Sequence, residues 1–285
     1  MKYLLIATIA CSLHAAPPVN QRTQTRHQDL RERAQPYLDS ARAAGNAFVS
    51  VSAASLMPNL AADSLATALG DNLAPRTESA TAPYPTNLGG ISLSVVDSAG
   101  VSRIAQLLYV SPTQINYLVP AGTATGTATM NIVDGTGNVP SSTAQIQAVA
   151  PGLFTVNENG RGVVAATAYR LVDLKIQAPV QIFQCLDRPV GCGAVPIDLG
   201  LDAPVFVTFF ATGLRGRSSD SAVTVTIGGQ SVPINSISSL DDSSPSAGLD
   251  EVLLVLPLSL RGSGEVNIVI SVEGTISNNG TISIK

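Results

Sequence analysis

The sequence predicts an all-β protein built from two tandem β-sandwiches. From residue 47 onward, short runs alternate between apolar and polar side chains and are bounded by Gly, Pro, Asn or Asp, which is typical of strands. Turns recur about every ten residues, as expected for a sandwich. Beyond residue 70 no stretch keeps a helical period, so we expect no helix in the core.

Two stretches with the same layout indicate that one unit occurs twice. QINYLVPAGTATGTATMNIV (114–133) and EVLLVLPLSLRGSGEVNIVI (251–270) each contain an alternating strand, a proline, a short small-residue segment and a second strand. We interpret each stretch as a hairpin. Upstream, ADSLATALGDNL (62–73) parallels APVFVTFFATGL (203–214), and the two copies have nearly equal length. Duplication of one module explains both agreements.

The N-terminus has the features of a secretory signal. Lys2 supplies the positive charge, Tyr3–Ala10 forms an apolar run too short to span a bilayer, and the small residues Ala15 and Ala16 follow. A buried N-terminal strand or helix is one alternative, and lipidation at Cys11 is another. We therefore expect a chain that is secreted or held at the cell surface.

The stretch between the signal and the first strand has a different composition. It is rich in Arg and Gln and has no β-branched runs, and we interpret it as a linker or stalk. A short helix from Asp29 is the alternative, although Pro36 would break or kink it. The predicted organisation is a signal peptide (1–16), a linker (17–46), a first sandwich (47–150) and a second sandwich with a Cys-loop insertion (151–285).

The composition excludes several kinds of partner. Charged residues make up 13% of the chain, about half the usual share of roughly 25%. A surface built mainly from Ser, Thr, Asn, Gln and Gly is typical of extracellular β-proteins. The net charge is −4 and no basic face is evident, so we expect no nucleic-acid partner. No later segment is apolar over some 18 residues, so we expect no transmembrane segment.

Two cysteines remain once the signal is removed. Cys185 and Cys192 lie in CLDRPVGC, where Pro189 and Gly191 can turn the chain back on itself. In an oxidising compartment a close, even pair predicts a disulfide that closes a loop. A metal pair is the competing interpretation, but zinc takes four ligands and no histidine lies nearby.

Several motifs occur in the order seen in one known family. They are FVSVSAASLMPNLAADSLATALGDNLAP, LLYVSPTQINYLVPAGTATGTATMNIV, APGLFTVNENGRGVVAA, VPIDLG and GLDEVLLVLPLSLRGSGEVNIVI. Together they resemble an uncharacterised family of C-terminal modules in secreted acidobacterial (Solibacter-type) proteins. The glycine-leucine turn and VTIGGQSV also resemble the Ig-like IPT/TIG fold. The resemblance implies two tandem Ig-like β-sandwich domains, and it brings no assigned activity and no catalytic residues.

Histidine is nearly absent from the chain. His14 belongs to the predicted signal and His27 to the predicted linker, so no imidazole base is available in the β region for a Ser-His-Asp or Cys-His site. We expect that the protein is not an enzyme and that it has no cofactor and no metal centre. The remaining catalytic alternative is a hydrolase that uses carboxylates alone, with Asp198 and Asp202 as the pair. An Asx-turn is the structural interpretation of the same residues.

A carboxylate cluster offers a second candidate site. Asp241, Asp242, Asp250 and Glu251 fall within the segment DDSSPSAGLDE, and oxygen-rich extracellular loops of this kind can bind calcium weakly. The spacing does not fit an EF-hand loop, and Pro245 suits an ordinary solvated turn.

The scarcity of aromatic residues weakens the hypothesis of carbohydrate binding. The chain has no Trp and only 4% aromatic residues, so Tyr84 and Tyr169 are the candidates for stacking on a sugar. Tyr109 and Tyr117 are expected to be half-buried. Three phenylalanines of one apolar strand are assigned to the core: Phe206, Phe209 and Phe210.

The run Val252–Leu256 is uninterrupted and apolar, which predicts burial on both faces, against the sister module or another chain. The alternative is an exposed edge prone to pairing.

The favoured function is a non-catalytic secreted or cell-surface interaction or spacer module that binds an extracellular protein or polysaccharide. A carbohydrate-binding module and a carboxylate-based hydrolase are the alternatives.

Overall fold

The computed structural model of the protein describes residues 20–135, 139–173, 176–185, 191–201, 203–240 and 246–285. The predicted signal peptide and Cys11 lie outside these ranges. About half of the described residues are in strands, which form mainly antiparallel sheets, so the all-β prediction is confirmed.

A helix replaces much of the predicted linker. Helix α1 (Asn20–Ala43) contains Pro36 and buries Ala34 and Leu38 against the first sheet. Arg31 and Arg42 also pair with Asp71 at the end of a strand. A proline inside a helix costs about 3 kcal/mol. Burial of a leucine-sized side chain stabilises by about 1.5–3 kcal/mol, so Leu38 offsets much of this cost, and the partly buried Leu30 and Tyr37 add to the stabilisation. The linker interpretation is therefore wrong for residues 30–43, which pack against the protein.

The first half of the chain forms two sheets that enclose one core. Their strands are β1 (Phe48–Ser52), β2 (Asn59–Ala61), β3 (Leu65–Gly70), β4 (Glu78–Ser79), β5 (Ile91–Val96), β6 (Ser102–Ile104), β7 (Gln106–Val110), β8 (Gln114–Leu118), β9 (Gly126–Asp134) and β10 (Ser141–Gln147). Sheet 1 has the order β1-β3-β8-β7-β4, and sheet 2 has the order β2-β10-β9-β5-β6. The β2–β10 pair is parallel and the others are antiparallel. Tyr117 and Phe48 are fully buried in the core between them.

The second half repeats this arrangement. Its strands are β11 (Gly152–Leu153), β12 (Ala166–Val172), β13 (Ile176–Val180), β14 (Phe183–Cys185), β15 (Cys192–Ala194), β16 (Val205–Thr212), β17 (Val223–Ile227), β18 (Gln230–Val232), β19 (Ile234–Ser239), β20 (Asp250–Val255), β21 (Gly264–Val272), β22 (Thr275–Ile276) and β23 (Gly280–Ile284). Sheet 3 has the order β13-β12-β16-β20-β19, with β11 also on β16. Sheet 4 has the order β18-β17-β21-β22, with β23 also on β21, and β14 and β15 form a two-stranded sheet.

The central strand pair of sheet 1 and that of sheet 3 agree residue by residue. In sheet 1, Leu65 lies opposite Leu118, and in sheet 3 the equivalent Phe206 lies opposite Val255. The equivalence is the one that the parallel between residues 62–73 and 203–214 predicts. A shared register is strong support for duplication, because a one-residue slip would turn every side chain to the other face.

The repeated stretch is not a hairpin. Strand β8 belongs to sheet 1 and β9 to sheet 2, and β20 and β21 are divided between sheets 3 and 4 in the same way. The proline in each connection, Pro120 or Pro257, has no N–H to donate, so it cannot extend the ladder of the strand before it. The chain then crosses from one layer of the sandwich to the other, and the hairpin interpretation is wrong in both copies.

One contact between the two halves involves the hydroxyl group of Thr212 and the backbone of Gly248. The Leu65 N–H donates to Thr212 Oγ1 (2.9 Å), and the Thr212 hydroxyl donates to the carbonyl oxygen of Gly248 (2.7 Å). Gly248 packs so closely on Leu65 and Leu118 that an added Cβ would lie 2.5 Å from Leu118 Cδ1. The outer face of sheet 1 is therefore covered by α1 at one end and by the second half at the other.

Candidate functional site

The predicted disulfide is present. Cys185 and Cys192 lie directly opposite each other in the β14–β15 hairpin and are joined through their sulfur atoms. Asn157 fixes the hairpin to the second half: its Oδ1 accepts from the Cys192 N–H (3.0 Å) and its Nδ2 donates to the Cys192 carbonyl oxygen (3.2 Å). The cysteines therefore serve to hold a loop in place, as the sequence predicts.

Asp250 has a structural environment. Its carboxylate is fully buried and accepts from the Leu214 N–H (2.9 Å) and the Ser239 hydroxyl (2.7 Å), while Arg215 Nε lies 3.4 Å away. Burial raises the pKa of Asp250, and these three donors act in the opposite direction. Both carboxylate oxygens are occupied by the protein, so the group joins strand β20 to the turn after β16.

Of the four residues of the predicted calcium loop, the structure describes Asp250 and Glu251, and these two side chains point apart. Asp250 points inward, whereas Glu251, the next residue of β20, is on the opposite face, as the alternating burial of this strand shows. Neighbouring residues of a strand point to opposite faces, so these two carboxylates cannot share an ion. Asp241 and Asp242 lie outside the described residues. Among the residues described, no group of three or more His, Cys, Asp or Glu side chains is placed to hold a metal ion.

Asp198 forms the Asx-turn that the sequence offers as the structural interpretation. Its Oδ1 accepts from the Gly200 N–H (2.9 Å), and Lys285 Nζ lies 3.7 Å from Oδ2. The Gly200 hydrogen bond and the charge of Lys285 lower the pKa of Asp198. Asp202, its predicted partner, lies outside the described residues.

A third structural carboxylate was not predicted. Asp97, at the β5–β6 turn, accepts from three backbone N–H groups, those of Ala99 (3.0 Å), Val101 (3.0 Å) and Ala124 (3.1 Å). Arg103 Nη1 donates to the same carboxylate at 2.6 Å. The Ala124 hydrogen bond is the largest of the causes that lower the pKa of Asp97 to about 2. The turn sequence DSAG indicates the Asx-turn, but not the link to the β8–β9 connection.

The tyrosine candidates have different environments. Tyr84 is half-buried, and burial raises the pKa of its phenol, so its ring is only partly available. Tyr117 is fully buried in the first core, beside Met130 Sδ (3.1 Å), rather than half-buried as predicted. Tyr109 is partly exposed, in agreement with the prediction. Tyr169 is also partly exposed, on the outer face of sheet 3.

An aromatic pair lies on the outer face of sheet 3. Tyr169 and Phe206 are directly opposite on β12 and β16, with ring centroids 5.1 Å apart and planes 5° from parallel. The core assignment of Phe206 is wrong, because Val205 and Val207 on either side of it face the core. Phe209 and Phe210 are buried as predicted.

Apolar residues extend this surface onto β20. Leu253 and Val255 are partly exposed, whereas Val252 and Leu254 are buried in the second core. The run therefore faces the core on one side only. The predicted burial of its other face against the sister module is wrong, and its burial against another chain stays a prediction. We call Tyr169, Phe206, Leu253 and Val255 the aromatic face.

The equivalent positions in the first half are covered. Leu118, the equivalent of Val255, is buried beneath Gly248, and Thr67, the equivalent of Thr208, is also buried. Val255 and Thr208 are partly exposed. The same sheet face is thus an internal contact in one copy and a solvent-accessible surface in the other.

A cleft opens at the β19 edge of the second sandwich. It has a volume of about 360 Å³ and lies between the two sheets, where β17 and β18 of sheet 4 approach β19 of sheet 3. Val223, Val232, Ile234 and Ile237 supply its apolar lining. Among the described residues, β19 pairs with β20 alone. We call this combination of cleft and strand the β19 edge.

Comparison with known proteins identifies no family, since no protein-family model matches the chain and no match to a curated protein was found. In the described part of the chain, no helix combines the length and apolar character needed to cross a bilayer.

Proposed function

We propose that the protein is a non-catalytic secreted or cell-surface interaction module that binds another extracellular protein through the aromatic face. The observation that carries this proposal is the difference between the two copies of one sheet face. In the first half, protein covers the face, and in the second half the equivalent face presents Tyr169 and Phe206 to solvent. Aromatic side chains are enriched in protein interfaces because they bury large areas with few rotatable bonds.

The placement of the protein outside the cytosol is part of the proposal. A disulfide joins Cys185 to Cys192, and such bonds persist in oxidising compartments. The signal-like N-terminus and the low content of charged residues support the same location.

Carbohydrate binding is the second candidate, because Tyr169 is accessible. A sugar stacks on the open face of an aromatic ring, whereas here one face of each ring lies against the other ring. Pro179 also lies opposite Tyr169 on the remaining side, on β13. This arrangement leaves little free ring face and favours contact with a protein.

The test is site-specific photo-crosslinking on the envelope of the producing cell. A benzoylphenylalanine in place of Phe206 should give a discrete adduct with one protein, and the same group in place of Thr143, exposed on sheet 2, should not. Adducts that are the same from both positions would contradict the proposal. A glycan array on which binding is lost with Tyr169→Ala and kept with Tyr109→Ala would establish the carbohydrate alternative instead.

A further inference from the structure

In the first half, an extended segment covers the edge of the sheet at β7. Strand β4 pairs antiparallel with β7. Beyond β4, the Ala80 N–H donates to the Leu108 carbonyl oxygen (2.9 Å), and the Leu107 N–H donates to the Pro85 carbonyl oxygen (2.8 Å). With this segment in place, Leu107 and Val110 are fully buried.

Strand β19 is the equivalent of β7. Both strands pair with the equivalent partner, β8 or β20, and both carry a bulge at the same point of the register. Ile234 and Ile237 therefore occupy the positions of Leu107 and Val110. Unlike their equivalents, both isoleucines are partly exposed, and both line the cleft.

The covering segment is missing from the second half because the connection is shorter. Residues 71–90 join β3 to β5, and this connection contains β4. The equivalent connection from β16 to β17 is residues 213–222, about half as long, and its only regular element is a 3-10 turn over Asp220–Ala222. The cleft therefore occupies the place where the first half holds a strand.

We propose that the β19 edge binds an extended peptide segment of another protein, which pairs antiparallel with β19 as β4 pairs with β7. The carbonyl oxygen of Asn235, equivalent to that of Leu108, accepts from the peptide, and the N–H of Ile234, equivalent to that of Leu107, donates to it. Addition of a strand to an exposed edge is an established mode of peptide recognition.

The lining of the cleft defines the chemistry of the peptide. In the first half the covering segment places Ala80 against the core. The equivalent space in the second half is lined by valine and isoleucine side chains together with uncharged polar residues such as Thr224 and Ser231. The carboxylate in its lining, Asp220, already pairs with Arg217 at 2.7 Å. The peptide that fits is uncharged where it enters the cleft and has small apolar side chains at alternate positions.

The probe is a synthetic peptide with the sequence of residues 77–85, TESATAPYP, added to the full chain. We expect saturable binding and slowed hydrogen exchange of the amides of β19. A peptide that is N-methylated at the position of Ala80 cannot donate to Asn235, and it should bind at least tenfold more weakly. The proposal is overturned if neither exchange nor binding changes up to millimolar peptide, or if N-methylation has no effect.

Two variants of the protein locate the site. Ile237→Lys places a charge in the cleft and should weaken peptide binding at least tenfold, whereas Ser238→Lys, on the opposite face of the same strand, should leave it unchanged. If Ile237→Lys fails to fold, the N-methylated peptide decides the question alone. Equal loss in both variants, or self-association through β19 without peptide binding, contradicts the proposal.

Phe206 of the aromatic face lies on β16, two strands away from β19, so the two proposals can fail independently. Phe206→Ser should leave peptide binding unchanged while it abolishes the partner contact proposed for the aromatic face. Loss of peptide binding in Phe206→Ser, with the fold intact, would show that the peptide occupies the aromatic face and would overturn the assignment to β19.

Discussion

Gly213 joins the second half of the chain to the segment that precedes it, and its replacement by alanine should be severely destabilising. Its φ is +81°, and an added Cβ would overlap the carbonyl oxygen of Ala150. The Ala150 N–H donates to the Gly213 carbonyl oxygen at 2.9 Å, so the two backbones cannot separate without loss of this bond. Gly213→Ala therefore combines a strained backbone with a clash that no side-chain rotation relieves.

The size of the effect follows from its parts. An L-residue in the left-handed region costs about 1 kcal/mol. Loss of the hydrogen bond between the Ala150 N–H and the Gly213 carbonyl oxygen leaves a buried backbone group without its partner and adds about 2 kcal/mol. The total is about 3 kcal/mol. Gly229→Ala is the matched control, since its φ is +80° and its Cβ would meet no atom within 4 Å. It should cost about 1 kcal/mol.

Urea unfolding of the two variants and the wild type, followed by circular dichroism, measures both values. If Gly213→Ala and Gly229→Ala are destabilised equally, the backbone contact with Ala150 is not a constraint on the fold, and the reasoning fails.

Three further predictions concern α1, Asp97 and the disulfide. Leu38→Ala removes a fully buried side chain and should cost about 2–5 kcal/mol, seen as faster proteolysis within α1; cleavage at the wild-type rate would contradict the packing of the helix. Because the folded pKa of Asp97 is about 2, below its ordinary value of 3.8, its contribution to stability is present above pH 4 and is lost as the pH falls towards 2. The urea midpoint of Asp97→Asn should therefore fall less between pH 5 and pH 2 than that of the wild type, and parallel curves would refute this role. Replacement of Cys185 and Cys192 by serine should speed hydrogen exchange in β14 and β15 and leave β16 and β20 unchanged, because the bond closes a local loop.

Strand positions could be predicted because alternation and turn residues are local signals. Once the two copies are aligned by sequence, the pairing of Leu65 with Leu118 in one copy implies the pairing of Phe206 with Val255 in the other. The sheet that each strand joins could not be obtained in this way. Whether a strand–proline–strand stretch folds back as a hairpin or crosses between layers depends on non-local strand pairing. The sequence of neither copy reveals that pairing.

The sequence of helix α1 contains an apolar stripe that predicts a helix packed on the protein. Its buried or partly buried residues Leu30, Ala34, Tyr37, Leu38 and Ala41 follow the i, i+4, i+7, i+8, i+11 spacing of one helix face. Pro36 and a composition rich in Arg and Gln mask this stripe in the sequence.

The candidate surfaces were harder to predict than the fold. Tyr169 was a candidate from its residue type alone, whereas Phe206 was assigned to the core because its neighbours are apolar on both sides. The β19 edge has no signature of its own. It becomes visible only when the shorter connection 213–222 is compared with 71–90 in the three-dimensional frame of the other copy.

The crossing of the chain between layers after Pro120 and Pro257 also determines what can be transplanted between proteins. A fragment cut at either connection would contain the strands of one layer without the strands that face them. The apolar inner surfaces of both layers would then be exposed to solvent. Recombination can therefore exchange these modules only as complete double-layered units, and an engineer who wishes to move one copy must take every strand of both layers together.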